Sequence, residues 1–228
     1  MKLTLPAVLS LNGGYVDTAG FLSLQGLFTA HVTGNFVTFG AALVHGTTGA
    51  FAKLLALPVF CIVVVLVRLL GDYFVARQWP ALRLLLGLKV ALLALAAVAA
   101  LALGPFPDGD GASAILTGMI LVSAMAIQNA VHRLHLASAP PTTLMTGTTT
   151  QIMIDLADLM RGVPAAEADK VHGRLSRMAM SVGGFALGCG LAALLFVFGG
   201  MWCFALPPVV ALVALMMREA ASAEKPAA

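Results

Sequence analysis

The stretch Leu84–Leu103, LLLGLKVALLALAAVAALAL, carries a single charge, Lys89, over the length a helix needs to cross a bilayer. A hydrocarbon core about 30 Å thick takes about 20 helical residues. Inside it every backbone N–H and C=O must find its partner within the protein, which a helix achieves by itself. Leu54–Leu70, Ala112–Val131, Ala179–Phe198 and Met201–Met217 have the same character, and a sixth stretch within Pro6–Phe28 is polar at Asn12 and Asp17. The chain is 60% hydrophobic and 10% charged, with a mean hydropathy of +0.98. A soluble domain has about 25% charged residues. An all-α integral membrane protein with six spans is expected.

Basic residues then orient the spans. Arg68, Arg77 and Arg83 bracket the second and third, and Arg133, Arg161, Lys170, Arg174 and Arg177 lie between the fourth and fifth. The segment GPFPDGDGAS, between the third and fourth, has two acids and no base. The positive-inside rule puts both termini and the two basic loops in the cytoplasm, with Lys53 as the one exception. Pro6 interrupts the first apolar run and no small-residue cleavage site follows, so no removable signal peptide is expected. Division after the third span gives residues 1–110 and 111–218 as two three-span halves, with 219–228 as a disordered C-terminal tail. Each half crosses an odd number of times, so the halves face opposite ways, as inverted repeats do in many secondary transporters.

The first unit of each half is interrupted at a Thr-Gly step. Thr33, Gly34 and Asn35 break the first, and Thr146, Gly147 and Thr148 break the second. Each step has polar residues upstream, Asp17 in one half and Gln128 with Asn129 in the other. The following segments, NFVTFGAALV and TTTQIMIDLADLM, read as short helices starting at the step, their first turns capped by a Thr or Asn side chain. Free N–H groups at such ends favour an anion or a carbonyl oxygen. The two steps are therefore expected to line a polar site; plain capping between packed segments is the alternative.

Asp17 is the most pointed side chain, since an ionisable group inside a span faces the bundle or a wet cavity. It reads as a proton carrier or cation ligand, as a structural acid paired with a base such as Lys89 or Arg133, or as one accepting backbone donors freed by the nearby glycines. Tyr15, His31 and Arg133 are secondary candidates, and Lys89 is expected to snorkel from the start of the third span. Asp155, Asp158 and Arg161 read as a surface charge cluster. The glycines of SVGGFALGCGLAALLFVFGG suit close helix contacts, within the bundle or in a homo-oligomer.

The strings GGYVDTAGFLSLQGLFTAHVTGN and AMAIQNAVHRLHLASAPPTTLMTGT resemble the YoaK family of bacterial multi-pass membrane proteins, over about residues 9–217. The likeness rests on Gly14, Tyr15 and Asp17 with Thr33, Gly34 and Asn35, then Gln128, Asn129 and Arg133 with Thr146 and Gly147. Ala126 departs from it, standing where a glycine is expected. The resemblance implies a bacterial cytoplasmic (inner) membrane location and supplies no substrate.

Other classes lack support. HExxH, GxSxG, Walker and dinucleotide motifs are missing from the sequence. Cys61, Cys189 and Cys203 have no metal or disulfide spacing, and the scattered bases give no nucleic-acid signature. No enzyme activity, cofactor or metal is expected. The partners expected are the lipid bilayer and an unknown small solute or ion. The functional expectation is a small-solute transporter or channel with its polar site between the interrupted helices. The alternative is a non-transporting membrane scaffold or accessory subunit.

Overall fold

The computed structural model describes residues 3–162 and 164–217, so the expected tail at 219–228 lies outside the described residues. The helices are α1 (Leu5–Ser23), α2 (Asn35–His45), α3 (Ala50–Ala76), α4 (Ala81–Leu103), α5 (Ala112–His135), α6 (Met145–Arg161), α7 (Ala165–Gly199) and α8 (Leu206–Met216). Single 3-10 segments, Val32–Gly34 and Gly200–Ala205, precede α2 and α8. No strand occurs among the described residues. Proline in the first turn starts α1 and α8, where the missing N–H has no helical partner to lose.

Four stretches are long and apolar enough to cross a membrane: Ala50–Ala76, Ala81–Leu103, Ala112–His135 and Glu167–Met216. They make the protein an all-helical, multi-pass membrane chain. Two features separate this count from the six spans expected. α1 is only 19 residues long and carries Ser10, Asn12 and Asp17, all buried; these lower its hydropathy. α7 and α8 follow one another without a loop, so they read as one stretch, although Gly200 at φ +53° turns the chain between them.

The contacts of α1 show the turn. Along α7, Ala7 lies by Gly184, and Leu11 by Gly188, so α1 and α7 run in the same direction. Along α8 the order reverses. Tyr15 Oη donates to the Cys203 carbonyl at 2.7 Å and Asn12 Nδ2 to the Pro207 carbonyl at 2.8 Å. The expected glycine contact is thus found inside the bundle: Gly184 and Gly188 face α1, while Gly183 and Gly190 have open space. The apolar core forms two clusters, each drawing on α1, α3, α4, α5 and α8.

At one end of the bundle three loops are tied together. Asp110 accepts from the N–H groups of Gly49 and Ala52, both at 3.0 Å, at the start of α3. Lys53 Nζ donates to the carbonyls of Gln25 at 2.7 Å and Thr48 at 3.4 Å. Gln25 Nε2 reaches the Phe106 carbonyl at 3.0 Å. Lys53, the exception to the charge pattern, is therefore buried and wrapped in carbonyl oxygens. The α3–α4 turn, the end of α5 and the start of α7 share the opposite end, and Arg77, Arg83, Arg133, Lys170, Arg174 and Arg177 gather there.

α7 is 35 residues long, about 52 Å at 1.5 Å per residue, and overshoots a hydrocarbon core of about 30 Å. α6 packs along the overshoot. Asp155 is fully buried and accepts two hydrogen bonds from Arg174, at 2.8 and 2.6 Å. The expected surface cluster is corrected at Asp155, which faces α7, while Asp158 and Arg161 are exposed as expected, beside the exposed Met153, Ile154, Leu156 and Met160. The Arg174 hydrogen bonds, helped by Gln151, hold the Asp155 carboxyl below its ordinary 3.8. A lowered value means that the pair stabilises docking above the ordinary value and is lost as pH falls through the folded one. The protection factors of α6 amides against hydrogen exchange are expected to fall as pH drops below about 4, and Asp155→Asn to abolish that step. An α6 equally protected at pH 3 and pH 5 in the wild type would contradict this assignment.

Candidate functional site

Both interrupted units fold back into the bundle. After α1 the chain reaches the end where Lys53 holds Gln25, turns back into the bundle, and leaves along α2 to the same end, where Lys53 holds Thr48. The tip of this excursion is Thr29–His31. It is gripped by Asp17, six residues before the end of α1, or about 9 Å in depth. Asp17 Oδ1 accepts from the N–H of Thr29 at 2.8 Å and of Ala30 at 2.7 Å, and Oδ2 lies 2.6 Å from His31 Nδ1. A carboxylate suits this work because a loop tip buried in the bundle leaves backbone donors that water does not reach.

A second excursion enters the bundle from the opposite end. The chain leaves α5, turns back, and departs along α6 beside the overshoot of α7. Its tip is Thr142–Thr143. Gln128 Nε2 donates to Thr142 Oγ1 at 3.1 Å, and Thr143 Oγ1 donates to Asn129 Oδ1 at 2.6 Å. The upstream polar residues singled out in the sequence thus hold the tips, and the residues they hold precede each Thr-Gly step by two to four positions.

The two tips meet α1 one helical turn apart. The Thr142 carbonyl lies against Gly13, and Thr29–His31 lie against Asp17, so their contacts are about 6 Å apart along the axis. On α7 the spacing recurs. Ser181 donates to the Pro141 carbonyl at 3.0 Å, and the Phe185 ring stands edge-on to His31 at 5.5 Å. Beside the first tip lies a cavity of about 430 Å³ lined by Asp17, Thr18, Phe28, His31, Gly34 and Phe185, among others. Gly34 has the Phe28 ring as its nearest neighbour, so a larger side chain there would displace that ring or fill the cavity.

Below the tips sits a group the sequence does not reveal. Lys89 is fully buried and donates from Nζ to Asn12 Oδ1 at 2.9 Å and to Gln128 Oε1. Asn12 in turn holds the Pro207 carbonyl, and Gln128 holds the Leu9 carbonyl at 2.9 Å. The expectation that Lys89 snorkels is overturned: its side chain points into the bundle and ties α1, α4, α5 and α8 together. The expected pairing of Asp17 with Lys89 or Arg133 is replaced by His31.

The other candidates fall into place less centrally. Tyr15 is buried on the Cys203 carbonyl, and Arg133 is exposed at the end of α5. Asn35 is buried, but its amide bonds both backbone groups of Phe28 at 2.8 Å instead of capping α2. Thr33, Thr146 and Gly147 are exposed, and Thr148 is buried with its hydroxyl on the Leu144 carbonyl at 3.2 Å. No side chain caps α2 or α6, which corrects that expectation. The 430 Å³ cavity holds Gly34 and no residue of the second step. A search for the tips could have started from Thr29 and Thr142, each four residues before its Thr-Gly step.

No curated protein and no solved structure matches the chain. A family match covers almost all of it, in agreement with the resemblance carried by the paired motifs. The chain belongs to the DUF1275 family, proteins of unknown function, over residues 5–217.

Proposed function

We propose that this chain is a small-solute transporter or channel of six spans, built from two inverted three-span halves, with its site where the two re-entrant tips converge. The approach of the tips from opposite ends, one turn apart on α1, carries the reading. Secondary transporters place their sites near mid-bilayer, where interrupted helices of inverted repeats meet. The packing supports the same pairing of halves. α1 runs with α7 as α3 runs with α5, α1 lies on α8 as α5 lies on α4, and α2 accompanies α3 as α6 accompanies α7. The basic end is the cytoplasmic one, and the membrane is a bacterial inner membrane.

In this reading Asp17 fixes the tautomer and orientation of His31, which faces the cavity, and Gly34 keeps the entrance clear. The scaffold reading has one observation in its favour: both Asp17 oxygens are already bonded within the chain. Flux assays decide between them. Protein reconstituted in liposomes is expected to pass a small solute, and Asp17→Asn and Gly34→Leu to reduce the flux at least about tenfold while remaining folded, a barrier change of about 1.4 kcal/mol. Absence of flux across a broad panel of small solutes, or undiminished flux in both folded variants, favours the scaffold.

A further inference from the structure

We propose that the basic end of the bundle carries a binding site for one anionic phospholipid, in a cavity separate from the re-entrant tips. The cavity, of about 690 Å³, lies among helix termini: Leu5 at the start of α1, Val75 near the end of α3, Trp79 and Arg83 at the start of α4, His135 at the end of α5 and Leu215 at the end of α8. Five termini at one level place it at the depth where headgroups meet the apolar core. Its lining joins two chemistries. Leu5, Leu86 and Leu215 give apolar walls, while Arg83 supplies a cation beside the His135 imidazole, and no Asp or Glu lines it among the described residues.

Arg83 makes no hydrogen bond or ion pair within the described chain, so its guanidinium has its donors to offer. A guanidinium matches a phosphate with two parallel hydrogen bonds. The neighbouring aromatic cluster fixes the level. Trp79 is 51% and Tyr73 47% exposed, their rings 6.1 Å apart and perpendicular, and Arg77 stands 5.3 Å from the centre of the Tyr73 ring. Amphipathic rings gather at the membrane–water boundary, and basic cavities between helices on this side of a membrane take acidic headgroups. The apolar walls select a lipid over a free phosphate ester. The site stands independently of transport.

The test uses the whole chain in mixed micelles holding equal amounts of phosphatidylglycerol and phosphatidylcholine, with retained lipid counted by native mass spectrometry. One bound phosphatidylglycerol is expected, preferred about fivefold, as one basic side chain near a headgroup provides. Arg83→Gln is expected to erase the preference, His135→Gln to lower it, and Arg177→Gln, an exposed base on the same end, to leave it intact. An excess of glycerophosphoglycerol, the headgroup without its chains, should not displace the lipid. Equal retention of both lipids, retention of neither, displacement by the free headgroup, or a preference that survives both Arg83→Gln and His135→Gln would overturn the site.

Discussion

Gly188→Ala is expected to cost about 3 kcal/mol, the upper part of the range for overpacked cores. A Cβ on Gly188 would overlap the Leu11 carbonyl oxygen and lie 2.9 Å from the Tyr15 nitrogen. Both are backbone atoms of α1, so no rotamer change relieves the clash; the helices must part. Parting them breaks what closeness allows, including the Ser10–Ser181 hydroxyl contact at 2.7 Å and the Cys189 thiol bond to the Gly14 carbonyl at 3.4 Å. The control lies two residues away. Gly190 has open space where a Cβ would go, and Gly190→Ala is expected to be neutral or slightly stabilising, since alanine favours helix by up to about 1 kcal/mol. Unfolding midpoints in mixed detergent micelles check the pair. Equal losses for both variants would mean that α1 and α7 do not pack on this face.

Lys89→Met is the second large effect, and here two terms oppose. A cation in a span costs about 3 kcal/mol on insertion scales, which methionine relieves at similar length. Against it, the buried Asn12 and Gln128 oxygens each lose a donor, at about 1–3 kcal/mol apiece. The same amides position the Pro207 and Leu9 carbonyls, so their loss spreads to α8 and α1. A net destabilisation of about 2 kcal/mol is expected. Adding Asn12→Leu to Lys89→Met should cost less than the sum of the singles, because both remove one hydrogen bond. Strict additivity would show that Lys89 and Asn12 do not interact.

Hydropathy made α3, α4 and α5 legible because a lipid-spanning helix must be apolar almost throughout. It marked α1 only as a stretch interrupted by polar residues, because those side chains are matched by groups far away in sequence that composition does not pair. The Thr-Gly steps marked where each excursion turns outward, and Asp17, Gln128 and Asn129 were recognisable as their partners. Their chemistry was misread, because an Asn or Thr at a helix start suggests a cap, whereas Asn35 and Thr148 bond elsewhere. Lys89 was missed for a rotational reason. A lysine one turn into a span looks able to reach the surface, but which way it faces depends on how α4 sits against α1 and α5. The glycine stripe of α7 was visible, yet only packing separates Gly184 and Gly188 from Gly183 and Gly190.

The contacts of α1 also set the order in which the protein can be completed. As the ribosome delivers the chain, α1 comes first, yet its Asn12, Tyr15 and Ser10 find partners on Pro207, Cys203 and Ser181. At about 5–20 residues per second, those partners arrive roughly 10–40 s later. The apolar hairpin of α3 and α4 can settle in lipid during that interval, whereas the polar side chains of α1 still lack their partners on α7 and at the start of α8. A chain halted before α7 therefore leaves Ser10, Asn12 and Tyr15 of α1 without the groups that satisfy them in the finished fold.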